Sequence, residues 1–204
     1  MNLDQLPINW FDLTVVLMLV MGILRGRKHG MSEELLYLVQ WLAIIFGAAA
    51  MYEPGGKLFA QSTVFSLLFS YVFVYLAVAV VIKILFSLFK HGVGGKMIGS
   101  DIFGPTEYYL GMLAGMVRYA CILIMFLSVL NARYFTPKEV KDMDYYQKDV
   151  YGSDFFPTIH SLQVQVFEKS LTGPAIKKYL DFFLIKPTVS EKKNLKRREF
   201  EFPQ

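Results

Sequence analysis

Residues 107–130, EYYLGMLAGMVRYACILIMFLSVL, are long and apolar enough to cross a bilayer, yet they carry Gly111, Gly115 and Arg118. Burying a lone guanidinium in hydrocarbon costs about 3 kcal/mol or more. Glycines four apart let a second backbone approach closely. This segment therefore has to face other protein or a wet cavity, and the remaining apolar segments must supply its company.

Those segments exist. Of 204 residues, 54% are hydrophobic and only 19% charged, and the mean hydropathy is +0.40. This balance belongs to a membrane protein rather than a soluble domain. The chain reads as all-α, with four transmembrane helices arranged as two helical hairpins over residues 1–132. The spans are predicted at about 11–26, 35–52, 64–89 and 107–130, each near the roughly 20 residues a crossing needs. The N-terminus, MNLDQLPINWFD, has no basic residue ahead of its apolar run, so the first segment reads as retained rather than as a cleaved signal. Trp10 and Phe11 suit an interfacial belt, and Arg25 can snorkel at the other end.

Between the first two spans lies a polar loop, RGRKHGMSEE, in which Ser32 is placed to cap the next helix. The small residues Gly47 to Ala50 give the second span a closely packable end. Pro54, Gly55 and Gly56 predict a turn over 53–63. A glycine-rich stretch, 90–106, precedes the fourth span. Its GVGGK is followed by no Ser or Thr, so a phosphate-binding loop is rejected. Arg25, Arg27, Lys28, Lys90 and Lys96 fall in the two loops on one side, against Lys57 on the other. The positive-inside rule makes the richer side cytoplasmic and leaves both termini outside, on the periplasmic side. The KKNLKRR cluster near the C-terminus pulls the other way.

Residues 133–204 form an extramembrane tail. Amphipathic helices are predicted at about 157–171 and 174–186. The second carries Ile176, Tyr179, Leu180, Phe183 and Leu184 at helical spacing, with Thr172 as its cap. Residues 188–204 have the composition of a disordered end.

Asp12 at the first span, Gly26 and Gly30 in the first polar loop, Glu34, and Trp41 in the second span recur in order with Glu107, Gly111, Gly115 and Arg118. On these residues the chain resembles the colicin V production protein (CvpA) family of bacterial inner-membrane proteins, over roughly residues 9–130 and more loosely along the tail to about Pro157. It departs from the common family pattern at His29, at Glu107-Tyr108 and at Tyr119. The resemblance implies a multi-pass inner-membrane protein linked to colicin V production or export and to envelope homeostasis. It brings no catalytic residues with it.

Gly111, Gly115 and Gly47 are assigned to helix packing. Arg118, Gln40 and Glu34 form a candidate intramembrane polar site. Arg118 admits two readings, an ion or anionic-substrate contact and a structural arginine paired within the bundle. His29 and His91 lack the further ligands a metal site needs, and no nucleophile–base set is recoverable. No enzyme, metal or cofactor is expected. The expected partners are the lipid bilayer, further copies of the chain or other envelope proteins, and no nucleic acid. The leading function is a non-enzymatic membrane protein supporting export or envelope homeostasis. The alternatives are a small channel or transporter subunit with Arg118 lining the path, and an assembly scaffold acting through the tail.

Overall fold

The computed structural model describes residues 9–62, 65–97, 104–151 and 158–189. The chain is helical, with six α-helices among the described residues: α1 (Trp10–Ser62), α2 (Leu67–Met97), α3 (Glu107–Asn131), α4 (Pro137–Tyr151), α5 (Ile159–Phe167) and α6 (Thr172–Tyr179). Two short strands, β1 (Arg133–Tyr134) and β2 (Thr188–Val189), pair in parallel. Three of the helices, α1, α2 and α3, are long and apolar enough to cross a membrane. Their outward faces present large apolar side chains such as Leu17, Val20, Leu24, Leu85, Leu88 and Phe126, an extent of exposed apolar surface that marks contact with lipid or protein.

The 53-residue helix α1 is broken at one point, Gly30, where φ is 73° and ψ is 173°. Phe11 and Val15 pack with Leu123 and Leu127, Gly22 lies on Gly115, Gly26 on Gly111, and Gly30 against Glu107. Residues 10–29 thus run antiparallel to α3. Beyond the break, Glu34 meets Arg118, and Ala48 and Tyr52 pack beside Val129 and Ala132. Residues 31–62 therefore run parallel to α3, so the chain reverses at Gly30. Contacts of Gly47 with Ile82, Gly55 with Val74, and Lys90 with Tyr37 set α2 antiparallel to this second arm.

Several expectations are corrected. The polar stretch 25–34 is no loop: it is helical except at Gly30, because a left-handed glycine turns the chain within one residue. Ser32 does not cap the second arm, since its hydroxyl is buried without a hydrogen-bond partner. The Glu107 carboxylate accepts from the Ser32 amide instead, at 3.2 Å. The turn expected over 53–63 is absent among the described residues. Helix α1 continues through Pro54 to Ser62, and Gly55 and Gly56 serve close packing, where a Cβ would lie 2.9 Å from Val74 and 2.3 Å from Tyr71. Helix α2 runs past residue 89 to Met97. Phe11 is a core residue, 3% exposed, and not part of an interfacial belt.

The tail folds back as a cap on the end of the bundle where α1 begins and α3 finishes. Helix α4 lies in the stretch of tail ahead of the two predicted amphipathic helices. Thr136 Oγ1 accepts from the Glu139 amide while Glu139 accepts from the Thr136 amide, a capping box with Pro137 in the first turn. The two predicted amphipathic helices are shorter than expected, Ile159–Phe167 and Thr172–Tyr179. After Tyr179 the backbone leaves the helical region at Leu180 (φ −117°, ψ 18°). Tyr179 is consequently exposed, while Leu184 and Ile185 are buried. Residues 188 and 189, expected to be disordered, pair as β2, and 190–204 lie outside the described residues.

Ile185 is the plug of this cap. Its side chain is fully buried among Tyr52, Tyr71, Tyr75 and Ala132, its amide donates to Ser128 Oγ and its carbonyl accepts from Asn131 Nδ2, both at 3.0 Å. Lys186 also reaches Glu53 at 2.8 Å, and that hydrogen bond raises its pKa. Exposed pairs of this kind contribute little, so the buried isoleucine and its two backbone bonds hold the segment.

Asp12 makes the second attachment. Its buried carboxylate accepts from the amides of Asn9, Leu171 and Thr172 and from the Thr172 hydroxyl, at 2.7 to 3.0 Å. Thr172 is therefore a donor to Asp12 and does not cap its own helix with its side chain. Replacing Asp12 with Asn removes the charge and one acceptor oxygen from four donors. The expected cost is about 2 kcal/mol or more, concentrated in the cap. Limited proteolysis should then cleave within 158–189 faster than in the wild type while α2 and α3 stay protected. Equal cleavage rates would show that Asp12 does not hold the cap.

Candidate functional site

The site forms where the bundle is tightest. Gly22, Gly26 and Gly30 recur every four residues on the first arm, facing Gly115, Gly111 and Glu107 on α3. A Cβ on Gly26 would stand 2.0 Å from the Gly111 carbonyl oxygen, and one on Gly115 would stand 2.2 Å from that of Gly22. The two backbones are in direct contact, as facing small-residue stripes allow. Gly30 needs its left-handed φ, and a Cβ there would meet Glu107 Oε1 at 2.8 Å.

One turn past Gly30, Glu34 points into the bundle. Its side chain is 1% exposed, and Oε2 accepts from Arg118 Nη1 at 2.8 Å. Helical side chains lean toward their own N-terminus. Arg118 thus extends from mid-helix back toward the Glu107 end, where Glu34 enters from the second arm. Tyr37 lies three residues after Glu34, on the same face. Its ring centroid is 4.6 Å from the Arg118 guanidinium carbon. Lys90 of α2 lies 4.0 Å from the same ring centroid and donates to the Tyr37 hydroxyl. His29 closes the group, with Nδ1 2.9 Å from the Arg25 carbonyl oxygen and 3.9 Å from Glu34 Oε1. All four helical segments contribute.

Chemically, this is a neutralised buried charge with a cationic margin. Breaking such a pair leaves an uncompensated charge at a cost of about 3–5 kcal/mol. Tyr37 is shared between two cations, and each contact of that sort adds about 0.5–2 kcal/mol depending on its desolvation. Arg118 Nε is buried without a hydrogen-bond acceptor.

Of the residues singled out from the sequence, Glu34, Arg118, Gly26, Gly30, Glu107, Gly111 and Gly115 converge here. Gln40 is half-buried on the second arm and forms no hydrogen bond to Arg118. Trp41 is half-buried on the same arm, and Gly47 packs on Ile82. Asp12 sits at the opposite end with the cap. Gly22, Tyr37, Lys90 and His29 had not been assigned to the site. The four-residue spacing from Gly26 could have revealed Gly22, and the i, i+3 relation to Glu34 could have revealed Tyr37. Nothing local to Lys90 signals its partner.

The family described as colicin V production protein matches the chain over residues 11–163. The chain belongs to that family. The matched range includes the whole glycine seam and the Glu34–Arg118 pair and ends within α5. Helix α6 and the Ile185 segment lie beyond it. No curated protein and no solved structure matches the chain. Membership and the apolar helices together make this a membrane protein of the colicin V production family.

Proposed function

We propose that this chain is a four-span protein of the bacterial inner membrane that supports export or envelope homeostasis without catalysing a reaction, assembled with further copies or with other envelope proteins. The Glu34–Arg118 pair inside the glycine seam carries this reading. These two charges lock helix against helix, the structural one of the two readings of Arg118, which suits a compact membrane element. Residues 10–29 measure roughly 30 Å at 1.5 Å per residue, a full hydrocarbon thickness, which supports the first arm as a complete crossing. Arg25, Arg27, Lys28 and Lys90 gather at the Gly30 end, which supports a cytoplasmic assignment for it, with both termini and the cap outside. Deleting the gene in the source bacterium should raise sensitivity to membrane-perturbing detergents. Wild-type protein should restore resistance, and a folded Arg118→Gln variant should do so in proportion to the amount accumulated. Unchanged sensitivity of the deletion strain would overturn the reading.

A second reading, a channel or transporter subunit, is favoured by the unused Arg118 Nε and by the approach of Lys90 and His29 to the same pair. On that reading, anion flux into liposomes holding the purified protein should be measurable and should vanish in folded Arg118→Gln. Absence of flux in the wild type would leave the first reading.

A further inference from the structure

At the end of the bundle opposite the Glu34–Arg118 pair, the cap contains a half-open cavity of about 140 Å³. That is room for several waters, or for one tetrahedral oxyanion with a substituent. Arg133, His160, Gln163, Glu168 and Lys177 supply its polar wall. The two cations are set against aromatic faces instead of carboxylates: the Arg133 guanidinium carbon lies 4.4 Å from the Phe135 ring centroid, and Lys177 Nζ lies 5.6 Å from that of Phe167. Among the described residues, Arg133, Lys177 and Glu168 form no ion pair. Arg133 Nε is buried and has no hydrogen-bond acceptor.

An unpartnered buried N–H is costly, and Lys177 stands unpaired on the same wall. A bound anion would relieve both. The wall is also fixed in advance. Gln163 Nε2 donates to the carbonyls of Leu130 and Arg133, at 2.6 and 2.8 Å, and the backbone at Arg133 pairs with Thr188 in the two-stranded sheet. On the Arg133 side of the wall little loop ordering is then left to oppose binding. His160, held edge-on to Phe135 at 5.6 Å between centroids, adds a ring nitrogen able to donate.

We propose that this cavity binds a phosphate group through Arg133 and Lys177. Glu168 on the same wall opposes a second negative charge, so the site favours a phosphodiester monoanion over a phosphomonoester dianion. Arg133 opens β1 two residues after the end of α3. If α3 crosses the bilayer as in the function proposed above, the cavity lies at the depth of lipid headgroups. The phosphate is then that of a phospholipid, and a free phosphate is the other source with the same chemistry.

The full chain, purified in detergent and stripped of lipid, decides between these. Phosphatidylglycerol binding is counted by native mass spectrometry, with diacylglycerol as the phosphate-free control, and thermal unfolding is followed in inorganic phosphate. Lys177→Gln is the first variant because Lys177 is exposed and forms no ion pair among the described residues. Arg133→Gln is the second. Wild type should bind phosphatidylglycerol at least tenfold more tightly than either folded variant, with diacylglycerol binding unchanged. If inorganic phosphate alone raises the unfolding temperature of the wild type and not of Lys177→Gln, the site stands and its ligand is free phosphate, whatever the fate of the membrane reading. If Lys177→Gln matches the wild type with both probes, the proposal is overturned.

Discussion

Gly26→Ala is expected to destabilise this protein by about 3 kcal/mol or more, the upper end of what overpacking costs. The added Cβ would stand 2.0 Å from the Gly111 carbonyl oxygen and 2.7 Å from the Gly111 carbonyl carbon. These are backbone atoms and have no rotamer to move into. Relief requires the first arm and α3 to separate, and that separation also weakens the Gly22–Gly115 and Gly30–Glu107 contacts along the same seam. Gly47→Ala is the internal comparison. Its Cβ would meet the Ile82 Cδ1 methyl at 2.7 Å, the far end of a flexible side chain, and the cost should stay near 1 kcal/mol. Denaturant titration of the purified variants in detergent measures both. Equal, small losses would mean that the two helices do not touch through their backbones.

The second large effect concerns the buried ion pair. Arg118→Gln leaves the Glu34 carboxylate, 1% exposed, without its cation, and Glu34→Gln leaves a buried guanidinium without its anion. Each single substitution should cost about 3–5 kcal/mol. The double variant Glu34→Gln/Arg118→Gln removes both charges and should cost clearly less than the sum of the two. Two amides of similar shape can hydrogen-bond in their place, and neither charge remains to be solvated. Strict additivity in this cycle would show that the two residues do not interact. Substituting Tyr37 with Leu should weaken the site more mildly, since it removes an aromatic face and one hydroxyl and leaves the ion pair itself.

The outline of the bundle could be read from the chain because it depends on local composition. The apolar runs and the four-residue spacing of Gly111 and Gly115 are properties of a few consecutive turns. So is the need of Arg118 for a polar neighbour. The break at Gly30 is a different case. A glycine within a charged stretch looks like a loop, and only the packing of Glu107 against it shows that a single residue reverses the chain. Pro54-Gly55-Gly56 misleads for the opposite reason. A sequence that favours turns is held helical because Val74 and Tyr71 need the space beside it.

The cap was the least legible part. Its amphipathic stretches fit a membrane surface as well as they fit a bundle, and nothing local indicates that Asp12 accepts hydrogen bonds from Leu171 and Thr172, far along the chain. The capping box at Thr136–Glu139 was a readable signal for α4. The burial of Ile185 was not, because it follows from where the helix stops.

The sequence by itself determined that this chain is helical and apolar and that residues 107–130 carry a charge in need of a partner. Periodicity along one helix fixes which face is small, apolar or charged. It says nothing about the register against a neighbour, or about which neighbour that is. Only the tertiary structure decided that Arg118 meets Glu34, 84 residues away, and not Gln40, that Lys90 shares Tyr37 with it, and that the tail closes over the far end. Those choices rest on how closely the glycine seam lets the backbones approach, and that distance exists only once the helices are packed.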